Sequence, residues 1–313
     1  MSTKPTVMQL GPLLPLVEQG LVANYTHLHL GKAPDAAAFL AAHAASVDAV
    51  VSSGKNGVTA SLLDALPNVK LVAHFGVGYD NVDAEHARKR GVVVTNTPDV
   101  LTDCVADLAM ALLVDVARGI SAGDRYVRAG RWLAGPMPLA TKVSGKRLGI
   151  LGLGRIGRAI AARAEGFDMD IRYHNRRQVP DSPYGYERSL ADLASWCDFL
   201  VLATSGGEAT RGIVSGAVIE ALGPKGFLVN IARGSVVDQP ALVAALRERR
   251  IAGAALDVFA DEPRVPGELF ALDNVVLTPH IASATTDTRA AMGQLVLDNL
   301  ASFFETGRPL TPV

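Results

Sequence analysis

The chain has 313 residues, 49% of them hydrophobic and 19% charged, with a net charge of −1. That length and composition suggest two domains, or one large α/β domain, with ample core material, and they exclude wholesale disorder. Charges of both signs are scattered along the chain, so no basic face suggests nucleic acid, and no apolar run reaches the roughly 18 residues of a membrane span.

The first hundred residues alternate short apolar runs with helical stretches. Thr6–Leu10, Ala23–His27, Ala49–Val51, Leu71–His74 and Val92–Val94 read as strands, and Pro34–Ala45, Thr59–Leu66 and Asp83–Arg90 as helices between them. This alternation predicts a parallel sheet. From Val100 to Arg118, apolar residues at Val105, Leu108, Ala109 and Leu112 predict a long helix. A polar stretch holding Gly and Pro follows, from Ser121 to Gly145.

A second series then begins. Its predicted strands are Arg147–Leu151, Asp170–His174, Phe199–Leu202, Gly226–Asn230, Gly253–Asp257 and Val275–Leu277. Its predicted helices are Ile156–Glu165, Leu190–Ala194, Ser215–Leu222 and Gln239–Glu248. Six such strands suffice for a doubly wound dinucleotide fold. A final helix over Thr286–Glu305 is too long to leave unpacked, and we expect it to return to the N-terminal part. The expected organisation is a Rossmann-type parallel-sheet domain (100–285) inserted into a smaller flavodoxin-like α/β domain (1–99 with 286–313).

The first loop of the second series is Gly152-Leu153-Gly154-Arg155-Ile156-Gly157. It follows an apolar strand and opens a helix, which is the context a G-x-G-x-x-G phosphate loop requires. Gly152 permits the tight turn, Gly154 lets backbone approach a pyrophosphate, and Gly157 lets helix and strand pack closely. The first helical N–H groups, those of Arg155 and Ile156 among them, face the anion. An NAD site usually places an acid about 20 residues on, to bind the ribose hydroxyls. Here that strand ends in Asn175-Arg176-Arg177. Guanidinium groups bind a 2′-phosphate that a carboxylate would repel, so the expected cofactor is NADPH in preference to NAD. Two solvated surface arginines are the plainer alternative.

Three further groups follow predicted strands: Arg233 after "GFLVNIA", Glu262 after "GAALDVFAD" and His280 after "NVVLTP". Taken singly, they read as a surface cap, a loop acid and a strand-end histidine. Together, beside a nicotinamide site, they suit reduction of a 2-oxo acid. A histidine can protonate the nascent alkoxide, a carboxylate can fix its tautomer, and an arginine can hold the substrate's carboxylate and carbonyl.

The segments "FGVGYDNVD", "VTNTPDVLTDCVADLAMALL", "LGILGLGRIG", "NIARGSVVD", "ALDVFADEP" and "TPHIAS" together resemble the D-isomer-specific 2-hydroxyacid dehydrogenases, in order and over nearly the whole chain. The resemblance implies that Arg233, Glu262 and His280 are the catalytic trio and that backbone N–H groups of Val77 and Gly78 bind the substrate carboxylate. It implies that Asp257 contacts the nicotinamide carboxamide and that Thr204 and Ile231 line the cofactor. "MPLATKVSGKRLGILGLGRIG" and "HNRR" look most like NADPH-dependent glyoxylate/hydroxypyruvate and hydroxyphenylpyruvate reductases. A homodimer is implied too, with the Ser121–Gly145 stretch reaching the neighbouring subunit and Trp132 or Met137 lining its pocket. The chain departs from the family where "ATSGGEAT" replaces a common Leu-Pro step, so a different cofactor-side loop is expected around Thr204. Activity on an aryl-pyruvate or an inorganic oxyanion is an alternative. So is a dinucleotide-sensing role like that of the co-repressors this fold also resembles.

The remaining candidates read more plainly. His74 is a strand-end histidine bonding locally, and His27 and His29 have no further ligands to make a metal site. Phe75 and Tyr79 either shape the pocket or pack beside it. Cys104 has no base placed to make it a nucleophile. Cys104 and Cys197 are too few and too far apart for a disulfide framework or zinc site, and they fit a reduced, cytoplasmic compartment. The opening Met-Ser-Thr-Lys-Pro leads into no signal-like apolar run.

Overall fold

The computed structural model describes residues 4–313; the first three residues of the N-terminal segment discussed above lie outside it. The chain divides into two compact units, Met1–Leu101 with Thr285–Val313, and Thr102–Ala284.

The first unit runs β1 (Thr6–Gln9), α1 (Pro15–Asn24), β2 (Thr26–His29), α2 (Ala36–His43), β3 (Ala49–Ser53), α3 (Ala60–Ala65), β4 (Leu71–Phe75), α4 (Ala84–Lys89) and β5 (Val93–Thr95). Its strands form one parallel sheet in the order β2-β1-β3-β4-β5, a flavodoxin-like arrangement. Met8, Val50, Val72 and Val94 meet in its core.

Here the structure corrects two expectations. The predicted strand Ala23–His27 is displaced: α1 runs to Asn24 and the strand is Thr26–His29. A helix was not expected over "PLVEQGLVAN". Pro15 occupies the first helical turn, where its missing N–H costs nothing.

The second unit runs α5 (Thr102–Arg118), α6 (Ile120–Arg128), β6 (Arg147–Leu151), α7 (Arg155–Glu165), β7 (Asp170–His174), β8 (Gly185–Tyr186), α8 (Leu190–Trp196), β9 (Phe199–Leu202), α9 (Gly216–Leu222), β10 (Phe227–Asn230), α10 (Gln239–Arg247), β11 (Gly253–Leu256) and β12 (Val275–Leu277). Its strands are all parallel, in the order β12-β11-β10-β9-β6-β7-β8. This is the doubly wound dinucleotide topology, with its switch point between β6 and β9. The strands β9, β10 and β11 are buried at every position, as parallel strands covered on both faces must be. Two elements were not anticipated. The Ser121–Gly145 stretch, read as polar with Gly and Pro, opens inside α6, which Gly119 and Gly130, both left-handed, bracket at φ 65° and 68°. The two-residue β8 is too short to leave a pattern.

The last helix, α11 (Thr286–Thr306), belongs to the first unit and packs on α1 and β4. Two glycines permit the approach. A Cβ on Gly20 would lie 2.6 Å from Leu297 Cδ1, and one on Gly293 2.8 Å from Val17 Cγ2.

Candidate active site

The strands β10, β11 and β12 are neighbours in the sheet, so their C-terminal ends bring Arg233, Asp257 and His280 to one edge. β10 ends at Asn230, which is 1% exposed and shapes the turn that follows. Its Oδ1 accepts from Ala232 N at 3.0 Å and its Nδ2 donates to Arg233 O at 3.0 Å. Ile231 is buried, while Arg233 is only half-buried and donates to Ala232 O at 2.9 Å. The next residue must be glycine: a Cβ on Gly234 would lie 1.9 Å from the carbonyl carbon of Phe259. That close approach lays the Arg233 turn against the loop that holds Glu262.

Glu262 is fixed at both oxygens. Oε1 accepts from Phe259 N at 3.0 Å, and Oε2 lies 2.6 Å from His280 Nδ1. Partial burial pushes this carboxyl up. The His280 and Phe259 hydrogen bonds outweigh that, with help from the charges of His280 and Arg233, and hold it below the usual glutamate value. The contact with the carboxylate places a proton on Nδ1 and leaves Nε2 as the working nitrogen. His280 is partly exposed, its side chain 46% accessible. Its φ is 55°, a left-handed conformation that costs a non-glycine residue about 1 kcal/mol.

Asp257 explains how that conformation holds. Its side chain is fully buried. Oδ1 accepts from Thr278 Oγ1 at 2.7 Å and from Ile281 N at 2.8 Å, and Oδ2 accepts from Ala282 N at 2.9 Å. Its own carbonyl accepts from His280 N at 2.8 Å. A single carboxylate thus clamps the Thr278–Ala282 turn on either side of the histidine.

The glycine loop joins β6 to α7 at the switch point. Gly152 has φ 100°, and a Cβ there would lie 2.7 Å from Thr204 N, so the backbone of Thr204 lies against the loop. A Cβ on Gly157 would lie 2.1 Å from Gly152 O, which demands glycine for the helix–strand approach. At Gly154 a Cβ would meet no protein atom within 4 Å. Gly154 is also the N-cap of α7 and gives it no side-chain cap. The first N–H groups of α7, including those of Arg155 and Ile156, therefore face an open cradle suited to a pyrophosphate. Arg176 and Arg177 are exposed just past β7. Asn175 reaches back: its Oδ1 accepts from Leu153 N at 2.7 Å. An N–H can only donate, so the amide oxygen is committed to the loop and the NH2 group faces away from it.

Val77 and Gly78 lie in the first unit, in the loop after β4. The structure leaves the other sequence candidates in plainer roles. His27 bonds Gln9 Oε1 at 2.9 Å, and among the described residues no cluster is fit to hold a metal. Burial pushes the Cys197 thiol up to about 12, which makes it inert. Phe75 is 8% exposed and packs in the core, while Tyr79 is 37% exposed. Sequence reasoning missed Asn230, Gly234 and Thr278, which shape the turns that carry Arg233 and His280. Of these only Gly234 left a trace, as the glycine after Arg233.

The family model for "D-isomer specific 2-hydroxyacid dehydrogenase, NAD binding domain" matches residues 110–282. The chain belongs to that family. It is thus an oxidoreductase that uses a nicotinamide dinucleotide. The dehydrogenase is 49% identical over 308 residues to hydroxyphenylpyruvate reductase of Plectranthus scutellarioides, covering 98% of each chain. It is 47% identical over 307 residues to glyoxylate/hydroxypyruvate reductase A of Arabidopsis thaliana, again covering 98% of each. Among solved structures, it is 43% identical to an NADPH-dependent glyoxylate/hydroxypyruvate reductase from Sinorhizobium meliloti, determined with NADP and malonate. That match has a TM-score of 0.94 and covers 99% of this chain and 97% of the other. No helix among the described residues is long and apolar enough to cross a membrane.

Proposed function

We propose that this dehydrogenase reduces small 2-oxo acids, glyoxylate and hydroxypyruvate first, to D-2-hydroxy acids with NADPH. The observation that carries the reading is the 2.6 Å contact between Glu262 Oε2 and His280 Nδ1. It turns Nε2 outward as a proton donor for the oxygen that becomes the hydroxyl. Arg233 binds the substrate and steadies charge on that oxygen. The N–H groups of Val77 and Gly78 bind the substrate carboxylate. Bound NADPH supplies the hydride. Gly152, Gly154, Arg155, Ile156 and Gly157 would hold its pyrophosphate, with Thr204 and Ile231 lining its path and Asp257 beside its carboxamide. Arg176 and Arg177 grip the 2′-phosphate beside the Asn175 amide. In this reading the 102–284 unit is the dinucleotide domain and the other unit the substrate domain.

The dehydrogenase works as a homodimer in the same proposal. Ile120, Val127, Trp132, Leu133 and Leu139 are all more than half exposed within one short segment, which supports self-association there. Met137 packs back toward α6, 3.6 Å from a Cβ on Gly123, whereas Trp132 projects with 68% of its surface free. Reduced thiols suit a cytoplasmic setting.

Initial rates with glyoxylate and hydroxypyruvate, NADPH against NADH, test the proposal. Fast turnover with clear preference for NADPH supports it, and no turnover with either cofactor refutes it. An aryl-pyruvate is the second reading, favoured by the 49% identity to a relative named for hydroxyphenylpyruvate. Adding hydroxyphenylpyruvate to the panel decides between them.

A further inference from the structure

The loop after β4 is held in an unusual way. Gly76 O accepts from Thr97 N at 2.9 Å, and Val77 O accepts from Asn96 Nδ2 at 2.9 Å. Gly78 O lies 3.1 Å from His74 Nε2. All three successive carbonyls are therefore drawn inward. In a trans peptide the next N–H points opposite to the carbonyl. The N–H groups of Val77, Gly78 and Tyr79 accordingly point outward together, and this row of donors suits an anion.

His74 sets the last of these planes. The ring is completely buried at the end of β4, and its Nδ1 lies 2.9 Å from Ser52 Oγ on β3. A carbonyl can only accept, so Nε2 carries the proton toward Gly78 O. Nδ1 then accepts from the Ser52 hydroxyl. The relay Ser52 to His74 to Gly78 fixes one tautomer and one peptide plane. Asn96 is secured in turn, its carbonyl accepting from Thr311 Oγ1 at 2.7 Å.

We propose that His74 is a positioning residue for substrate, and that it aims the Tyr79 N–H as a third donor to the substrate carboxylate beside those of Val77 and Gly78. This rests on the reading that the loop binds that carboxylate. It adds which residue sets the loop's last donor and how many donors the carboxylate meets.

The test compares glyoxylate with its uncharged amide in the intact enzyme and in His74→Phe, with NADPH. For His74→Phe the KM for glyoxylate should rise about tenfold, the worth of one hydrogen bond to a charged group. The KM for NADPH and the turnover of the amide should stay as they were, and the unchanged amide reaction shows that the variant is folded. His74→Gln, which can still donate to Gly78 O, should recover most of the loss. If His74→Phe discriminates between acid and amide as well as the intact enzyme does, the role of His74 is refuted while the loop's role stands. If the intact enzyme itself does not discriminate, the loop reading falls and this inference with it. If His74→Phe fails to fold, Ser52→Ala decides: it should raise the glyoxylate KM by about threefold, a fraction of one such bond, and an unchanged KM refutes the relay.

Discussion

Replacing Asp257 by Asn keeps the shape of the side chain and changes only its bonding. The carboxylate accepts three hydrogen bonds in a fully buried place, from Thr278 Oγ1, Ile281 N and Ala282 N. Those two N–H groups meet different oxygens. In either orientation of the Asn amide, one backbone N–H faces an NH2 group and loses its acceptor. A charge-assisted bond is worth roughly 1.5–3 kcal/mol and a stranded buried donor costs roughly 1–3, so a net loss of about 3 kcal/mol is expected. In a unit of this size that lowers Tm by about 6–12 °C. The clamp also holds His280 at φ 55°, so kcat should fall by about tenfold or more as the imidazole leaves its position. Differential scanning calorimetry and steady-state kinetics read the two effects together. If Asp257→Asn melts with the native enzyme and raises only the KM for NADPH, Asp257 is a cofactor contact alone and the clamp argument is wrong.

Glu262→Gln should lower kcat by about a hundredfold with NADPH affinity unchanged, since a neutral amide has one acceptor oxygen for both Phe259 N and His280 Nδ1–H and no charge to balance the imidazolium. The pH profile carries the same signature. Because the folded-state pKa of Glu262 is lowered, its hold on His280 is present above the ordinary glutamate value and lost only as pH falls through the lowered one. The reduction rate should therefore persist through mild acid. Loss of rate already at the ordinary glutamate value would contradict the geometry. Arg176→Ala with Arg177→Ala should weaken NADPH by about a hundredfold or more and NADH little, by analogy with loss of charge-assisted bonds. Asn175→Asp keeps the Leu153 bond and turns a carboxylate oxygen toward the 2′-phosphate, so it should shift preference to NADH. Equal losses for both cofactors in these variants would refute the phosphate reading.

Much of this was legible in the chain itself. The β6, β7, β9 and β12 runs stand where their apolar residues placed them: β6 and β9 are buried almost throughout, as parallel strands covered on both faces must be, and β7 alternates buried with more exposed positions. The Glu262–His280 pairing was readable as chemistry but not as a distance. Other features were hidden for physical reasons. Proline and glycine disguised α1, since Pro15 starts a helix as readily as it ends one. The roles of Asp257 and His74 depend on partners 21 to 25 residues and 22 residues away, respectively, and no periodicity reports such meetings. Gly234 is demanded by the Phe259 backbone, whose approach exists only once β10 and β11 are side by side.

The most direct test of the central claim is single-turnover reduction of hydroxypyruvate by His280→Ala beside a fluorescence titration of NADPH. The account predicts a loss of rate of about a hundredfold to ten-thousandfold, with NADPH bound as tightly as before. Near-normal turnover by that variant would mean that another group delivers the proton, and the assignment of His280 and Glu262 would be wrong.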